Sequence, residues 1–335
     1  MKNQYTDCMI TAQIQDKELS EYLQALPEDD MIHFTLAHGR LRGAIFAGTH
    51  FVNQMQAQHK TGILETYILG QASLCGALLI PAIMKGREHL TWHYDATDFP
   101  AKGFNIEADS SGWVRGYLLT DHISIDKPLE NWDLKPFLGD GCVMTVQTLH
   151  PQDKFPQTTA INTTGNIADD LVFYFNRSYQ IQTALTTSIQ MDKQGRVIGA
   201  GGIFLQVMPS TGGTYNGKKK LGSQIDTGAN QEEDEELIAK VESVYKTTPS
   251  LGTWFSRGRS AEDLINQLFE HFSPVIALHR SVIWNCPCTK ESFLNHIKAL
   301  PKNDLDDIKS KKDAIEITCH NCGSVYKIFP DEIKD

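Results

Sequence analysis

The chain has 335 residues, 41% hydrophobic and 21% charged, with a formal net charge of -10. That length exceeds one small core and predicts two or more units, and the composition is that expected of a soluble globular protein. The acidic balance disfavours the phosphate backbone of nucleic acids, and the two short basic runs, Lys218-Lys219-Lys220 and Lys309 to Lys312, have acidic residues close by.

The first 30 residues are polar and irregular apart from Asp16 to Leu26, where Leu19, Tyr22 and Leu23 fall on one helical face. No apolar signal-peptide core is visible there. The longest apolar stretch, Ser73 to Met84, is too short to span a bilayer and contains Pro81. The expected location is therefore the cytoplasm, without a membrane partner. Thiols stay reduced in that compartment, so clustered cysteines point to metal or redox chemistry.

His33 to Phe46 is strand-like around Gly39 to Gly43, and Ile63 to Met84 reads as a buried helix. Strand signals follow. Leu90, Trp92 and Tyr94 alternate with polar residues, as do Phe104, Ile106 and Ala108. Trp113 to Leu118, Cys142 to Val146 and Ile203 to Met208 are further strands. Between the last two, Ile167 to Ser178 predicts a helix with Asn166 as N-cap. Strands mixed with helices, without strict alternation, give an α+β fold class: a mixed sheet-and-helix core ending near Pro209.

Ser210 to Gln231 is rich in Gly, Ser, Thr and Lys and cannot bury enough surface to offset its ordering entropy, so it reads as a mobile linker. Gly212 to Lys218 fits G-x-x-x-x-G-K, but Lys219 stands where a phosphate-binding loop needs Ser or Thr, and no good helix follows. Two amphipathic helices come next. Leu237, Ile238, Val241, Val244 and Tyr245 share a face of the first, behind the acidic run Glu232 to Glu236. Ser260 with Asp263 makes a near capping box for the second, whose stripe is Leu264, Ile265, Leu268, Phe269 and Phe272. Neither is long enough to be stable alone. The resulting division is 1–32 N-terminal extension, 33–209 core, 210–280 flexible and helical linker, and 281–335 a small C-terminal metal-binding unit.

That last unit holds Cys286-Pro-Cys288 and Cys319-His-Asn-Cys322, flanking a helix-like stretch from Lys290 to Leu300. Four thiolates match a tetrahedral zinc shell, and a unit with so few large apolar side chains needs a staple to fold. The expected complement is one zinc per chain on Cys286, Cys288, Cys319 and Cys322, with His320 as a possible substitute ligand. Metal-bound thiolates are also what oxidants attack, so the site reads either as a structural zinc centre or as a redox switch. Of the other cysteines, Cys75 and Cys142 read as buried small hydrophobes and Cys8 as exposed.

Further residues resemble a known family, the redox-regulated heat-shock chaperones called Hsp33. They are Gly199 to Pro209 (GAGGIFLQVMP), Tyr174 to Ser178 with Gln180, Gly139-Asp140-Gly141, Arg115-Gly116, and Tyr326 with Phe329. The order of core, two-helix linker and C-x-C…C-x-x-C module is similar too, over roughly 33–332. The resemblance implies a non-enzymatic, ATP-independent holdase, inactive when reduced and zinc-bound. It implies disulfides Cys286–Cys288 and Cys319–Cys322 on oxidation, zinc release, linker unfolding, capture of unfolding client proteins and a homodimeric active form. The competing expectation is a structural zinc-ribbon protein that binds nucleic acid or a protein partner; Cys319-His-Asn-Cys322 opens no clear βαβ unit, which argues against a thiol oxidoreductase.

Overall fold

The computed structural model describes residues 9–83, 88–125, 129–149, 154–208, 229–311 and 313–333, with the side chains of 229–234 excepted. Cys8, the Lys218–Lys220 run, the G-x-x-x-x-G-K match and most of the Gly/Lys-rich segment lie outside the described residues. The helices are α1 Lys17–Ala25, α2 Thr49–His59, α3 Ile63–Ile83, α4 Lys135–Leu138, α5 Ile167–Ser178, α6 Ala229–Tyr245, α7 Leu251–Phe255, α8 Ala261–Phe269, α9 Lys290–Lys298 and α10 Lys302–Ser310. The strands are β1 Asp30–Leu36, β2 Leu41–Ala47, β3 His89–Ala96, β4 Lys102–Asp109, β5 Trp113–Leu118, β6 Val143–Leu149, β7 Gln157–Asn162, β8 Thr183–Met191, β9 Val197–Val207, β10 Val275–Arg280, β11 Ile283–Trp284, β12 Ile315–Thr318 and β13 Val325–Ile328.

The α+β class holds. Two sheets face each other with helices between them: a five-stranded sheet ordered β10-β1-β2-β9-β8, and a six-stranded one ordered β11-β5-β4-β3-β6-β7. Pairing is antiparallel except where β11 joins β5 in parallel. Helix α3 lies in the central layer, and its apolar residues are buried around most of its circumference. By length and composition it could cross a bilayer, but 83% of its most apolar window is covered by the protein itself. The caps expected at Asn166 and Ser260 form, and Asp16 caps α1 as well. Asn166 accepts from Ala168 and Asp169, Asp16 accepts from Leu19 at 3.0 Å, and Ser260 accepts from Asp263 at 3.0 Å.

The five-stranded sheet is apolar on both faces. Alternation sends Met31, Ala44, Phe46, Ala200 and Phe204 into the central layer. The same alternation sends Ile32, Phe34, Leu36, Leu41, Ile45, Ile203 and Leu205 outward, where α6, α7 and α8 cover them. The seat for α7 is cut by glycine: a Cβ at Gly199 would lie 2.0 Å from the Gly252 carbonyl oxygen, and one at Gly201 would lie 2.3 Å from the Phe255 ring. The glycines of the Gly199–Pro209 motif thus let a helix lie directly on strand β9.

Two sequence expectations need correction. Cys142 precedes β6 rather than lying within a strand, and it is half-buried, because β6 begins at Val143. Phe272 falls in a 3-10 turn after α8 and packs only partly buried against its cluster, since the helix ends at Phe269. Strand β10, which carries no alternation and gave no signal in the sequence, pairs with β1 at the edge of the five-stranded sheet.

Helix α1 and the β1 entry are fastened by His50, whose Nδ1 lies 3.0 Å from Asp29 Oδ1 and whose Nε2 lies 2.9 Å from the Leu23 carbonyl. The Asp29 hydrogen bond is the main cause that raises its pKa, with burial opposing. A raised native pKa contributes stability that is fully present below the unfolded value of about 6.5 and lost as pH climbs through the native value. The thermal midpoint of the wild type should therefore fall more steeply over that upward window than that of His50→Gln. Equal slopes would remove this role from His50.

Candidate metal centre

Strand β11 ends at Trp284, and the chain then places Cys286 and Cys288 beside the turn that joins β12 to β13, which carries Cys319 and Cys322. That turn is a tight knuckle. Cys319 N donates to the Ser324 carbonyl at 2.8 Å, and the Gly323 and Cys322 amides donate to the Cys319 carbonyl at 2.8 and 3.3 Å. Gly323 has φ +68°, which favours glycine, and a Cβ there would sit 2.3 Å from the Gln58 carbonyl oxygen of α2.

The four sulfurs lie within 4.8 Å of one another, all on buried residues, and the group could hold a metal ion. Cys286 Sγ to Cys319 Sγ is 3.8 Å and Cys288 Sγ to Cys322 Sγ is 3.5 Å. A tetrahedron with metal–sulfur bonds of about 2.3 Å has edges of about 3.8 Å, so the spacing fits a tetrathiolate shell. All four are free cysteines. His320 is not in the group: it is exposed and its ring lies 5.6 Å from that of Tyr117.

Electrostatics favour a cation at the centre. Hydrogen bonds from Cys288, Cys319 and Cys322 first, then the Arg115 guanidinium, hold the Cys286 thiol below the ordinary range, against burial. Its hydrogen bonds with Cys286, Cys319 and Cys322 raise the Cys288 thiol, and burial adds to the rise. Buried thiols this close can ionise together only if positive charge sits among them.

The surrounding shell was only partly foreseeable. Arg115 on β5 donates Nη1 to Cys286 Sγ at 3.1 Å while its Nη2 pairs with Glu107 at 2.6 Å. The next residue, Gly116, donates its amide to the Asn321 carbonyl at 3.1 Å. The Arg115-Gly116 pair picked out in the sequence is therefore where the cysteine module docks on the core. Tyr326 Oη lies 3.3 Å from Cys288 Sγ and donates to the Cys288 carbonyl at 3.0 Å. Cys75, by contrast, is fully buried in α3, and burial pushes its thiol up to about 12, as suits an inert core residue.

The chain thus joins a two-sheet α+β core, its outer face roofed by helices, to a small tetracysteine module that could hold a metal ion. The sequence model of a family described as "Hsp33 protein" matches residues 29–329, and the chain belongs to that family. Relatives named "33 kDa chaperonin" include one from Lachnoclostridium phytofermentans, 25% identical over 308 residues, covering 92% of this chain and 97% of the relative. One from Gloeobacter violaceus is 27% identical over 312 residues, covering 91% of this chain and 94% of the relative. The crystal structure of a 33 kDa chaperonin from Thermotoga maritima shares the fold at TM-score 0.75 and 22% identity, covering 92% of this chain and 97% of that one.

Proposed function

We propose that this protein is an ATP-independent holdase of the bacterial cytoplasm, held inactive while reduced and switched on by oxidation of its cysteine module. Membership of the Hsp33 family supports the chaperone class. The observation that carries the switch is the apolar outer face of the five-stranded sheet, roofed by helices whose chain leads straight into the cysteine module. After α8 the chain forms β10 on the edge of that sheet, then the two-residue β11, then Cys286.

One zinc per chain on Cys286, Cys288, Cys319 and Cys322 would supply folding free energy and keep the sulfurs as thiolates. Two molecules of hydrogen peroxide would be needed, each taking two electrons from one pair, Cys286–Cys288 or Cys319–Cys322. Each pair of thiolates then becomes a disulfide, each peroxide takes up two protons from solvent and becomes two waters, and the zinc ion leaves to water. No thiolate is left to hold a cation. Cys286 loses the charge that Arg115 meets, and β11, β10 and the roof helices lose their anchor in turn. The functional division is then 1–32 extension, 33–209 core, 210–280 linker and 281–335 switch module, and the exposed faces suit unfolding clients and a homodimer of the oxidised form.

The test is light scattering of a heat-denaturing client without ATP, using reduced and peroxide-treated protein. Protection is expected only after oxidation. Equal protection in both states would remove the switch, and protection in neither would remove the holdase.

A further inference from the structure

The residues ahead of the family-matched stretch are not idle. Segment 9–12, outside any helix or strand, runs past the cysteine module and the C-terminal end of α2. Met9 packs against the buried cysteine cluster and against the main core. Between this segment and the knuckle stands Gln58 of α2, 4% exposed. Its Nε2 donates to the Cys322 carbonyl at 2.8 Å and to the Ile10 carbonyl at 3.2 Å. Its Oε1 accepts from the Ala12 amide and from Gln54 Nε2. A primary amide offers two donors and two acceptor sites, and all of them are used here. The Ile10 carbonyl also accepts from Ser324 Oγ at 3.3 Å, and Ser324 Oγ lies 3.2 Å from Cys322 Sγ.

We propose that Gln58 is a positioning residue of the tetracysteine centre, and that segment 9–12 acts through it as a clasp on the Cys319–Ser324 knuckle. The inference rests on the metal reading given above. Cys322 and Gly323 are set by α2 on one side, and α2's amide is set by the N-terminal segment on the other. Opening the knuckle must break the Gln58–Cys322 bond and leave a buried amide short of partners, which slows metal loss. The clasp lies ahead of the stretch matched by the family model, which begins at residue 29.

The test measures zinc transfer from reduced full-length protein to a chromogenic chelator, with no oxidant and no client. Outer-shell partners of metal ligands commonly matter by 10–100-fold, so Gln58→Leu should release zinc about tenfold faster. Ala12→Pro removes one N–H from the clasp and should also speed release, by less. Because both act on one network, the double variant should release no faster than Gln58→Leu alone. Cobalt-substituted protein should keep its thiolate charge-transfer bands in all three, which separates positioning from ligand loss. An unchanged release rate in zinc-loaded Gln58→Leu overturns the proposal, and so do additive effects in the double variant. If Gln58→Leu fails to fold, the Ala12→Pro rate decides alone. Wild type that takes up no zinc would instead sink the metal reading, and the clasp with it.

Discussion

Replacing Cys286 by Ser is expected to abolish stable zinc binding and to make the C-terminal module a protease substrate, with the core left folded. The module's two small clusters are the cysteines with Tyr326, and Ile297 with Ile328 and Ile333. Three buried isoleucines are a small apolar core, and a unit with so little to bury depends on a staple to fold. A structural zinc ion contributes about 10–16 kcal/mol to folding in small modules, comparable with the whole stability of a typical domain, about 5–15 kcal/mol. Serine keeps the size of the side chain but supplies no thiolate, and it leaves Arg115 with Glu107 and no sulfur. Metal analysis should fall from one zinc per chain to near zero, and wild type treated with a chelator should give the same proteolytic pattern. Stoichiometric zinc in a variant with all four cysteines replaced would end the assignment.

What the sequence disclosed and what it hid follow from the range of each interaction. Helix α5 was legible to the residue because its cap, Asn166, and its stripe are local. Strands β3 and β4 were legible because buried and less buried residues alternate throughout β3 and from Phe104 onward in β4. Helix α2 was not, since its buried positions include Asn53 and Gln58, which bond to distant backbone instead of forming an apolar stripe. Strand β10 was hidden because most of its residues are exposed and it pairs, among the described residues, with β1 at the other end of the chain. The four cysteines stood out by spacing alone. Arg115 was noticed as part of a motif, but its contact with Cys286 bridges 171 positions of sequence, and no local pattern reports that.

The second large effect should come from the roof. Leu264→Ser is expected to give a protein that protects clients without any oxidant. Leu264 is 0% exposed and sits in the cluster that joins α8 to Phe34, Ile45 and Leu205 of the sheet. Truncating a buried leucine costs about 2–5 kcal/mol, and a buried hydroxyl without a partner adds about 1–3 kcal/mol. Helix α8 has only 9 residues, below the roughly 12–15 at which isolated helices become even marginal. The loss therefore falls on docking of the roof rather than on the sheet beneath it. Since about 1.4 kcal/mol is a factor of ten, a 3 kcal/mol loss multiplies the undocked population by roughly a hundred. Amide exchange in 235–272 should quicken while exchange in α3 stays slow, and zinc should remain bound because the cysteine module is untouched. Leu79→Ala, in the fully buried centre of α3, is the control. It should lower the thermal midpoint without conferring protection, because it loosens the inner layer and not the outer face. If Leu264→Ser frees the roof and clients still aggregate, the face formed by Ile32, Phe34, Leu36, Leu41, Ile45, Ile203 and Leu205 is not where clients bind.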